Sequence, residues 1–333
     1  MARLMAVTLC AAAGFLAAAA ATTLQTSDTG ATRAIAYLSR EVPAWRRDHP
    51  CYSCHNNGDA ARALIAAAPS AATRAALADT LGWLAAPDRW AANGGGEGGG
   101  DDKRLARIQF AHATAAAAAA SLVDADAVRK AAALILDDQL ADGSWQLDSS
   151  DSIGSPATYG TALATVFSRR TIAAAGAPAG SRAAAAVARA DAWLAGIRPS
   201  NAPDAAAVLF AAADAAPPTR PANVDLALGF FARGQGRNGG WGPYVTSPAE
   251  PFDTALVVLA LEGMARRKLN AEPAFTPVAL TEAIAQGRRY LLAAQLEDGS
   301  WQETTRPAGQ ASYAQRISTT GWALLALTGN PKR

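Results

Sequence analysis

One short segment of the chain combines residue types and a spacing that suit cofactor chemistry, Cys51-Tyr-Ser-Cys54-His55. Two thiols two residues apart, followed directly by an imidazole, form the attachment signature of c-type haem. In that chemistry both cysteines form thioethers to the haem vinyl groups, and the histidine binds the iron. The motif therefore predicts covalent haem c, with Cys51 and Cys54 as its attachment points and His55 as the iron ligand.

The same segment would also suit a disulfide or a zinc ion. Cys51 and Cys54 are close enough in sequence to form a redox-active or structural disulfide. Alternatively, His49 joins Cys51, Cys54 and His55 to give four nitrogen and sulfur ligands, the number that tetrahedral zinc prefers. The direct adjacency of Cys54 and His55 would strain such a zinc site.

The sixth coordination position of a haem iron would need a ligand from elsewhere in the chain. His112 and Met264 are the candidates, because each lies in a predicted buried helix. A lone histidine or methionine on an apolar helix is also a common core residue. A filled sixth position would favour electron transfer, whereas an open one would allow oxygen or peroxide chemistry.

The N-terminus has the features of an export signal. A short basic start, Met1-Ala-Arg3, precedes an apolar run from Leu4 to about Ala21 that ends in three alanines. This pattern predicts a signal peptide over residues 1–21 and a periplasmic or secreted protein, although an uncleaved anchor helix of similar length remains open. Bacterial c-type haem is attached after export, so this prediction agrees with the motif.

Composition narrows the fold class and the partners. Half of the residues are hydrophobic, only 17% are charged, and the formal net charge is +2. Abundant alanine favours helices. The absence of a basic run argues against nucleic acid as a partner, and no second apolar stretch predicts a membrane span in the mature chain.

Three loops repeat the same glutamine, glycine and tryptophan spacing: Gln139-Leu-Ala-Asp-Gly143-Ser-Trp145, Gln235-Gly-Arg-Asn-Gly239-Gly-Trp241 and Gln295-Leu-Glu-Asp-Gly299-Ser-Trp301. Each follows a helix with one apolar stripe and precedes a helix that is apolar on all sides, which indicates an outer and an inner helix. We expect the glutamine amide to satisfy backbone groups at a helix end and the tryptophan to cover the hairpin.

Extending this unit over the chain predicts six helical hairpins. Outer helices are expected near 31–47, 71–85, 124–140, 181–197, 222–234 and 277–294, and inner helices near 57–68, 104–122, 157–170, 203–215, 252–266 and 317–328. The fold class is therefore all-α, an (α/α)6 toroid, with residues 22–333 as one domain. The CxxCH loop, over 49–57, replaces the repeated loop in the first hairpin, and the glycine-rich run at 93–100 is typical of a linker or lid.

The repeated QxxxGxW loops resemble the QW repeats of squalene-hopene cyclases and of the wider terpenoid cyclase and prenyltransferase superfamily. The resemblance extends over essentially the whole mature chain and implies an apolar lumen that could receive an isoprenoid-like molecule. Cyclases of that family protonate their substrate with a DxDDTA motif, and the nearest match is Glu250-Pro-Phe-Asp-Thr-Ala255. Phe252 occupies the position of the central acid, which argues against proton-initiated cyclisation. The zinc set of protein prenyltransferases would need a cysteine outside the Cys51 pair.

Asp253 remains from that motif and has two interpretations. It is either the N-cap of an inner helix or a catalytic or ligand-binding acid at the mouth of the ring. The alignment of the inner helices places Gly160 and Gly321 at the equivalent positions. The aromatic residues expected to line the lumen or pack in the core are Phe110, Tyr159, Phe210, Phe252 and Trp322.

These observations lead to three functional hypotheses. The first is an exported haem protein for electron transfer or haem-dependent oxidation, with an apolar ligand and a redox partner protein. The second is a non-catalytic binding or scaffold toroid in which a Cys51–Cys54 disulfide staples the first hairpin. The third is a divergent terpenoid cyclase that uses Asp253.

Overall fold

Alternating striped and uniformly apolar helices fold into hairpins, as their sequence pattern predicts. The structure is a computed structural model and describes residues 29–49, 51–67, 70–94, 103–147, 152–215, 221–306 and 309–329. Within these ranges the ordered elements are helices, and the one β-contact is an isolated bridge between Gln295 and Trp301. The predicted signal peptide and most of the glycine-rich run lie outside the described residues.

The outer helices carry odd numbers: α1 (29–48), α3 (Ala71–Leu84), α5 (Ala125–Leu136), α7 (Arg182–Gly196), α9 (Ala222–Gly234) and α11 (Pro277–Ala293). The inner helices carry even numbers: α2 (π-helical His55–Ala60 continuing as α-helical Ala61–Ala66), α4 (Lys103–Ala119), α6 (Gly160–Ala174), α8 (Ala202–Asp214), α10 (Pro251–Arg266) and α12 (Tyr313–Thr328). All twelve predicted helices are confirmed.

The inner helices form a closed ring. Each even-numbered helix packs against the next, from α2 to α4 and onward to α10 and α12, and α12 packs back against α2. Because each inner helix turns back into the outer helix that follows it and packs against it, the inner helices all begin at the same end of the ring. The (α/α)6 toroid is therefore confirmed, and no described helix is long and apolar enough to cross a membrane.

The repeated loops close each hairpin through the tryptophan. The indole N–H donates to a carbonyl in the last turn of the preceding outer helix, where backbone acceptors have no partner within the helix. The three bonds are Trp145 to Ile135 (2.7 Å), Trp241 to Phe231 (2.8 Å) and Trp301 to Leu291 (2.6 Å). The prediction that the glutamine satisfies this helix end is therefore wrong.

The glutamine instead joins neighbouring hairpins. Its amide N–H group donates to the glycine carbonyl of its own loop and to a carbonyl of the next outer helix. In the last loop that second acceptor is the carbonyl of Gly30, at 2.9 Å, in α1. The last hairpin is therefore joined to the first by the same glutamine-to-carbonyl hydrogen bond that joins neighbouring hairpins elsewhere in the ring.

We expect Gly299→Ala to weaken this seam. Gly299 has φ +91°, and an added Cβ would lie 2.5 Å from the carbonyl oxygen of Arg33. Gly176 has the same φ of +91° with no atom within 4 Å of an added Cβ. Gly176→Ala should therefore lower the free energy of unfolding by only roughly 1–2 kcal/mol, the cost of a side chain at positive φ. Gly299→Ala should lower it by clearly more. Urea unfolding would compare them, and equal losses would argue against the close packing of loop and helix.

Candidate functional site

The CxxCH segment lies in the loop between α1 and α2, at the end of the ring where the inner helices begin. Cys51 and Cys54 are partly exposed and their thiols are not joined to each other. The intervening Tyr52 stacks on Trp83 with ring centroids 4.2 Å apart. The side chain of Asn93 accepts from the Tyr52 backbone N–H at 2.9 Å and donates to its carbonyl at 2.8 Å. This end of the glycine-rich run therefore holds the motif in place.

Helix α2 begins at His55, two residues earlier than predicted, and its first six residues are π-helical. Asn57 stabilises this start, because its side chain accepts from the Ser53 backbone N–H at 3.0 Å and donates to Thr80 at 2.8 Å. A Cβ on Gly58 would lie 3.0 Å from the Cβ of Gln109, so glycine lets α2 approach α4 closely. Single π-helical turns are often found at functional sites.

The imidazole of His55 is held in one orientation and one protonation state. Its Nδ1 lies 2.9 Å from the hydroxyl of Ser318 on α12. Burial lowers the pKa of His55 to about 4, so the ring is neutral at pH 7. The Ser318 hydroxyl donates its only hydrogen to Asp59 at 3.1 Å, so it must accept from the Nδ1–H of His55. This network assigns the tautomer and leaves the Nε2 lone pair free to bind a metal.

Asp59 is the hub of a buried polar network that we call the Asp59 centre. Its carboxylate accepts from side chains on two other inner helices and from the tyrosine that precedes a third. The members of the centre are Asp59, Arg62, Gln109, Tyr159, Ser318 and Trp322. Gln109 donates at 3.0 Å, Ser318 at 3.1 Å and Trp322 at 3.1 Å to Oδ2, while the Tyr159 hydroxyl donates to Oδ1. The centre therefore connects α2, α4 and α12 with Tyr159, the residue that precedes α6.

The charges of the Asp59 centre are removed from solvent. Asp59 is 1% exposed, and burial raises the pKa of its carboxyl against the opposing effects of Arg62 and the hydrogen bonds. The Arg62 guanidinium lies 3.9 Å from Asp59 and 4.3 Å from the Trp322 ring, and burial lowers its pKa. Burial and the neighbouring carboxylate raise the pKa of Tyr159 well above its usual value. The tyrosine is therefore a protonated hydrogen-bond donor.

An aromatic cluster inside the ring of inner helices adjoins this centre. Phe167 is its middle, with ring centroids 5.5 Å from Trp322, 5.5 Å from Tyr159 and 5.9 Å from Phe210. Phe252 meets Trp322 edge to face at 6.0 Å. Four of the five predicted aromatic residues therefore come together.

Phe110 does not belong to the aromatic cluster. It packs against Trp83 at 5.7 Å and Trp90 at 5.5 Å, which belong to the outer part of the second hairpin. Of the two expectations for Phe110, these contacts agree with packing in the core and not with lining the lumen. Phe167, on α6, was not singled out from the sequence.

The candidate sixth ligands lie in different parts of the ring. The ring of His112 stacks on Phe167 with centroids 4.5 Å apart, which makes it part of the aromatic cluster. Met264 is buried in the last turn of α10, and parallel inner helices put that turn at the opposite end of the ring from the first turn of α2.

The ligand set required for zinc is not assembled. The ring of His49 stacks on Trp45 at 3.9 Å, and its Nδ1 lies 3.1 Å from the Trp45 carbonyl. Among the residues that the structure describes, no three histidine, cysteine or acidic side chains are grouped so that they could hold a metal ion.

Asp253 lies in the first turn of α10, where Glu250 is the N-cap residue and makes no side-chain capping bond. Asp253 is completely buried and accepts two bonds from the Arg306 guanidinium, at 3.0 and 3.2 Å. Arg306 also donates to Glu250 at 2.8 Å and to the Gly154 carbonyl at 3.2 Å. Burial, assisted by Glu250 and opposed by Arg306, raises the pKa of Asp253 to about 7. The N-cap interpretation of Asp253 is therefore wrong.

The structural equivalents of Asp253 differ from those of the sequence alignment. In each repeated hairpin the backbone N–H of the loop tryptophan donates to a threonine of the inner helix, at 3.0 Å to Thr165, 2.9 Å to Thr254 and 3.2 Å to Thr320. By this contact Asp253 corresponds to Ala164 and Thr319. The alignment with Gly160 was displaced by four residues, about one turn, because Thr161 stands four residues before Thr165. The alignment with Gly321 was displaced by two residues.

Several members of these sites were missed from the sequence, namely Asp59, Arg62, Ser318 and Arg306. A signal existed for the first two, because Asp59 precedes and Arg62 interrupts a run from residue 60 to 66 that is otherwise alanine, leucine and isoleucine. Ser318 and Arg306 carry no such local signal. Their roles depend on contacts with residues 259 and 53 positions away.

Comparison with known proteins supports the fold. No protein-family model matches the sequence, and no curated protein matches it. The chain is similar to the solved structure of the type II terpene cyclase MstE from Scytonema without ligand, with a TM-score of 0.56 and 14% identity, covering 92% of this chain and 98% of that one. A variant of the same cyclase in complex with its substrate geranylgeranyl dihydroxybenzoate matches with a TM-score of 0.52 at 14% identity, over 92% and 98% of the two chains. The likeness extends along the whole ring and establishes a terpenoid cyclase-like fold.

Proposed function

We propose that this chain is an exported c-type haem protein built on a terpenoid cyclase-like toroid. Haem is attached to Cys51 and Cys54, and His55 binds the iron. The observation that carries the proposal is the position of His55, whose Nδ1 lies 2.9 Å from the Ser318 hydroxyl and which directly follows two cysteines that are not joined to each other.

The residues present fit the requirements of such a cofactor. Thioether formation needs accessible thiols outside a disulfide, and the thiols of Cys51 and Cys54 are partly exposed and not joined to each other. Iron binding needs a deprotonated nitrogen, and the low pKa and the tautomer of His55 leave Nε2 available. When bound, haem supplies one-electron redox chemistry. Asn93 and the stacked pair Tyr52–Trp83 hold the loop that carries the thiols.

The ligand that we propose for the ring is an apolar, isoprenoid-like molecule, and the electron partner is a separate redox protein. The aromatic cluster around Phe167 provides an apolar wall next to the buried charges of the Asp59 centre. The substrate in the similar cyclase complex is a geranylgeranyl compound, which favours this ligand class. The predicted signal peptide over residues 1–21 directs the chain to the periplasm or beyond.

Covalent haem is tested by a pyridine haemochrome spectrum of protein produced in a periplasm equipped for c-type haem maturation. We expect a c-type α band that survives acid-acetone extraction. The band should be absent from the Cys51→Ala/Cys54→Ala variant and retained in Cys10→Ala, whose cysteine lies in the predicted signal peptide. A haem-free wild-type protein with normal helicity would contradict the proposal, and thiol counting would then test the scaffold with a Cys51–Cys54 staple.

A second candidate function is a divergent cyclase that uses Asp253. The observation in its favour is a buried acid with a pKa of about 7 at the start of an inner helix, because such a group can hold a proton at neutral pH. Incubation with polyprenyl substrates and mass spectrometry of the products would test it. A cyclic product that is lost in Asp253→Asn would support this candidate, and unchanged product formation in that variant would exclude Asp253 as the acid.

A further inference from the structure

A relay of hydrogen bonds connects His55 to the Asp59 centre. The Nδ1–H of His55 donates to the Ser318 hydroxyl over 2.9 Å, and that hydroxyl donates to Asp59 over 3.1 Å. Ser318 is completely buried, and Asp59 is 1% exposed. The relay therefore joins the proposed iron ligand to a carboxylate that lies one helical turn away on the same helix.

We propose that Asp59 is a positioning residue that acts through the Ser318 hydroxyl to set the orientation and the basicity of the His55 imidazole. This inference rests on the haem attachment proposed above. It adds a function for a buried acid that neither the CxxCH motif nor the terpenoid cyclase-like fold assigns.

The physical basis is the acceptor strength of the group bonded to Nδ1–H. Histidine ligands of metals almost always donate their second nitrogen to an acceptor, which fixes the ring and raises its basicity. A serine hydroxyl that itself donates to a carboxylate is a stronger acceptor than an isolated hydroxyl, because linked hydrogen bonds polarise one another. A more basic imidazole gives more electron density to the iron and favours the ferric state.

The surroundings of Asp59 explain how it can serve this role without shifting. Gln109 and Trp322 hold Oδ2 from opposite neighbours of α2, and Tyr159 holds Oδ1. Arg62 supplies the one positive charge of the centre, at 3.9 Å. The carboxylate is therefore fixed relative to α4 and α12. Through Ser318 the His55 imidazole is oriented relative to the same two helices.

The test compares the midpoint potentials of haem-loaded Ser318→Ala, Ser318→Thr and Asp59→Asn with that of the wild type. Loss of the relay in Ser318→Ala should shift the ferric–ferrous equilibrium about tenfold towards ferrous haem, which is about 59 mV for one electron. Asp59→Asn should shift it in the same direction, whereas Ser318→Thr keeps the hydroxyl and should stay close to the wild type. Circular dichroism would verify that each variant is folded.

Ser168→Ala is the matched control, because Ser168 is an equally buried serine on another inner helix. The ferric–ferrous equilibrium constant of this variant should stay within twofold of the wild-type value. If Ser318→Ala also stays within twofold, the relay has no effect and the inference is overturned. A wild-type chain that carries no haem overturns both proposals, whereas a haem-loaded wild type with unmoved variants overturns only this one.

Discussion

Replacing Arg306 with methionine is expected to destabilise the protein by about 1–1.5 kcal/mol more at pH 8 than at pH 5, because the folded pKa of Asp253 lies about one unit below pH 8. Arg306 is the counterion of Asp253, a completely buried acid, and it also reaches Glu250 and the Gly154 carbonyl. Removing one partner of a buried ion pair leaves the other charge without compensation. Methionine keeps much of the apolar volume of the arginine stem, so the loss should reflect charge rather than a cavity.

The pH dependence follows from the pKa of Asp253, which is raised in the folded protein from 3.8 to about 7. Between these values the unfolded chain has released the proton and the folded chain still holds it, so stability falls as pH rises through this window. Below pH 3.8 the carboxyl is neutral in the folded and the unfolded protein and has no effect on stability. Loss of Arg306 raises the folded pKa further and extends the falling limb above pH 7. Urea unfolding at pH 5 and pH 8 would measure both effects.

Two further variants separate charge from packing. Asp253→Asn imitates the protonated acid, so it should be at least as stable as the wild type at pH 8 and should remove the pH dependence from the double variant with Arg306→Met. Arg266→Met removes an arginine that is 48% exposed and paired with Glu262, and should have a small effect at either pH. Equal destabilisation by Arg306→Met at both pH values would show that the contact stabilises by packing alone.

The ring itself could be predicted from the sequence because its determinants are local. The spacing of apolar residues within each hairpin indicates which helix is outer and which is inner. The glutamine, glycine and tryptophan of each loop lie within seven positions of one another. Helix α11 even shows its start in the sequence, with Thr276 capping the backbone N–H of Ala279. All twelve helices were therefore predicted within a few residues of their observed bounds.

The sites were harder to predict because they depend on contacts between distant parts of the chain. Asp59 meets Gln109, Tyr159 and Ser318 only after the inner ring has closed. No periodicity specifies which face of an entirely apolar helix points to the lumen, so the sequence leaves lumen and core open for Phe110 and gives no signal for Phe167. The glutamine contacts to the next outer helix were missed for the same reason, since their partners lie 47, 48 and 265 residues away in sequence.

The CxxCH motif is the opposite case, in which sequence specifies the chemistry and the fold supplies the environment. The spacing alone predicts which three residues would hold a haem, and nothing in the segment indicates that the imidazole is bonded to a serine 263 residues away. The low pKa of His55 is likewise a result of burial by other helices. The identity of the proposed haem ligands is thus encoded locally, and the surroundings of His55 are determined by the toroid.

Replacing Asp59 with leucine is expected to cause the largest loss of stability, and replacing Arg62 with methionine a much smaller one. Both residues belong to one buried ion pair, but their hydrogen bonding is unequal. Asp59 accepts four bonds from neutral donors besides its pairing with Arg62, whereas the Nε and Nη2 atoms of Arg62 make no hydrogen bond among the described residues. When Arg62 is removed, the Asp59 carboxylate still accepts four hydrogen bonds. When Asp59 is removed, the Arg62 guanidinium loses its counterion and has no such set of hydrogen bonds to replace it.

Asp59→Leu should therefore combine two costs, an uncompensated buried guanidinium of about 3–5 kcal/mol and about 1–3 kcal/mol for each buried donor left without an acceptor. Against a total stability of about 5–15 kcal/mol, the variant should be largely unfolded at 37 °C. Arg62→Met should stay folded, and its circular dichroism and urea midpoint would show this. The double variant Asp59→Leu/Arg62→Met should recover the part of the loss that belongs to the unpaired charge. Equal losses in the two single variants would mean that Coulomb attraction, and not the hydrogen-bond network that also orients His55, holds the centre together.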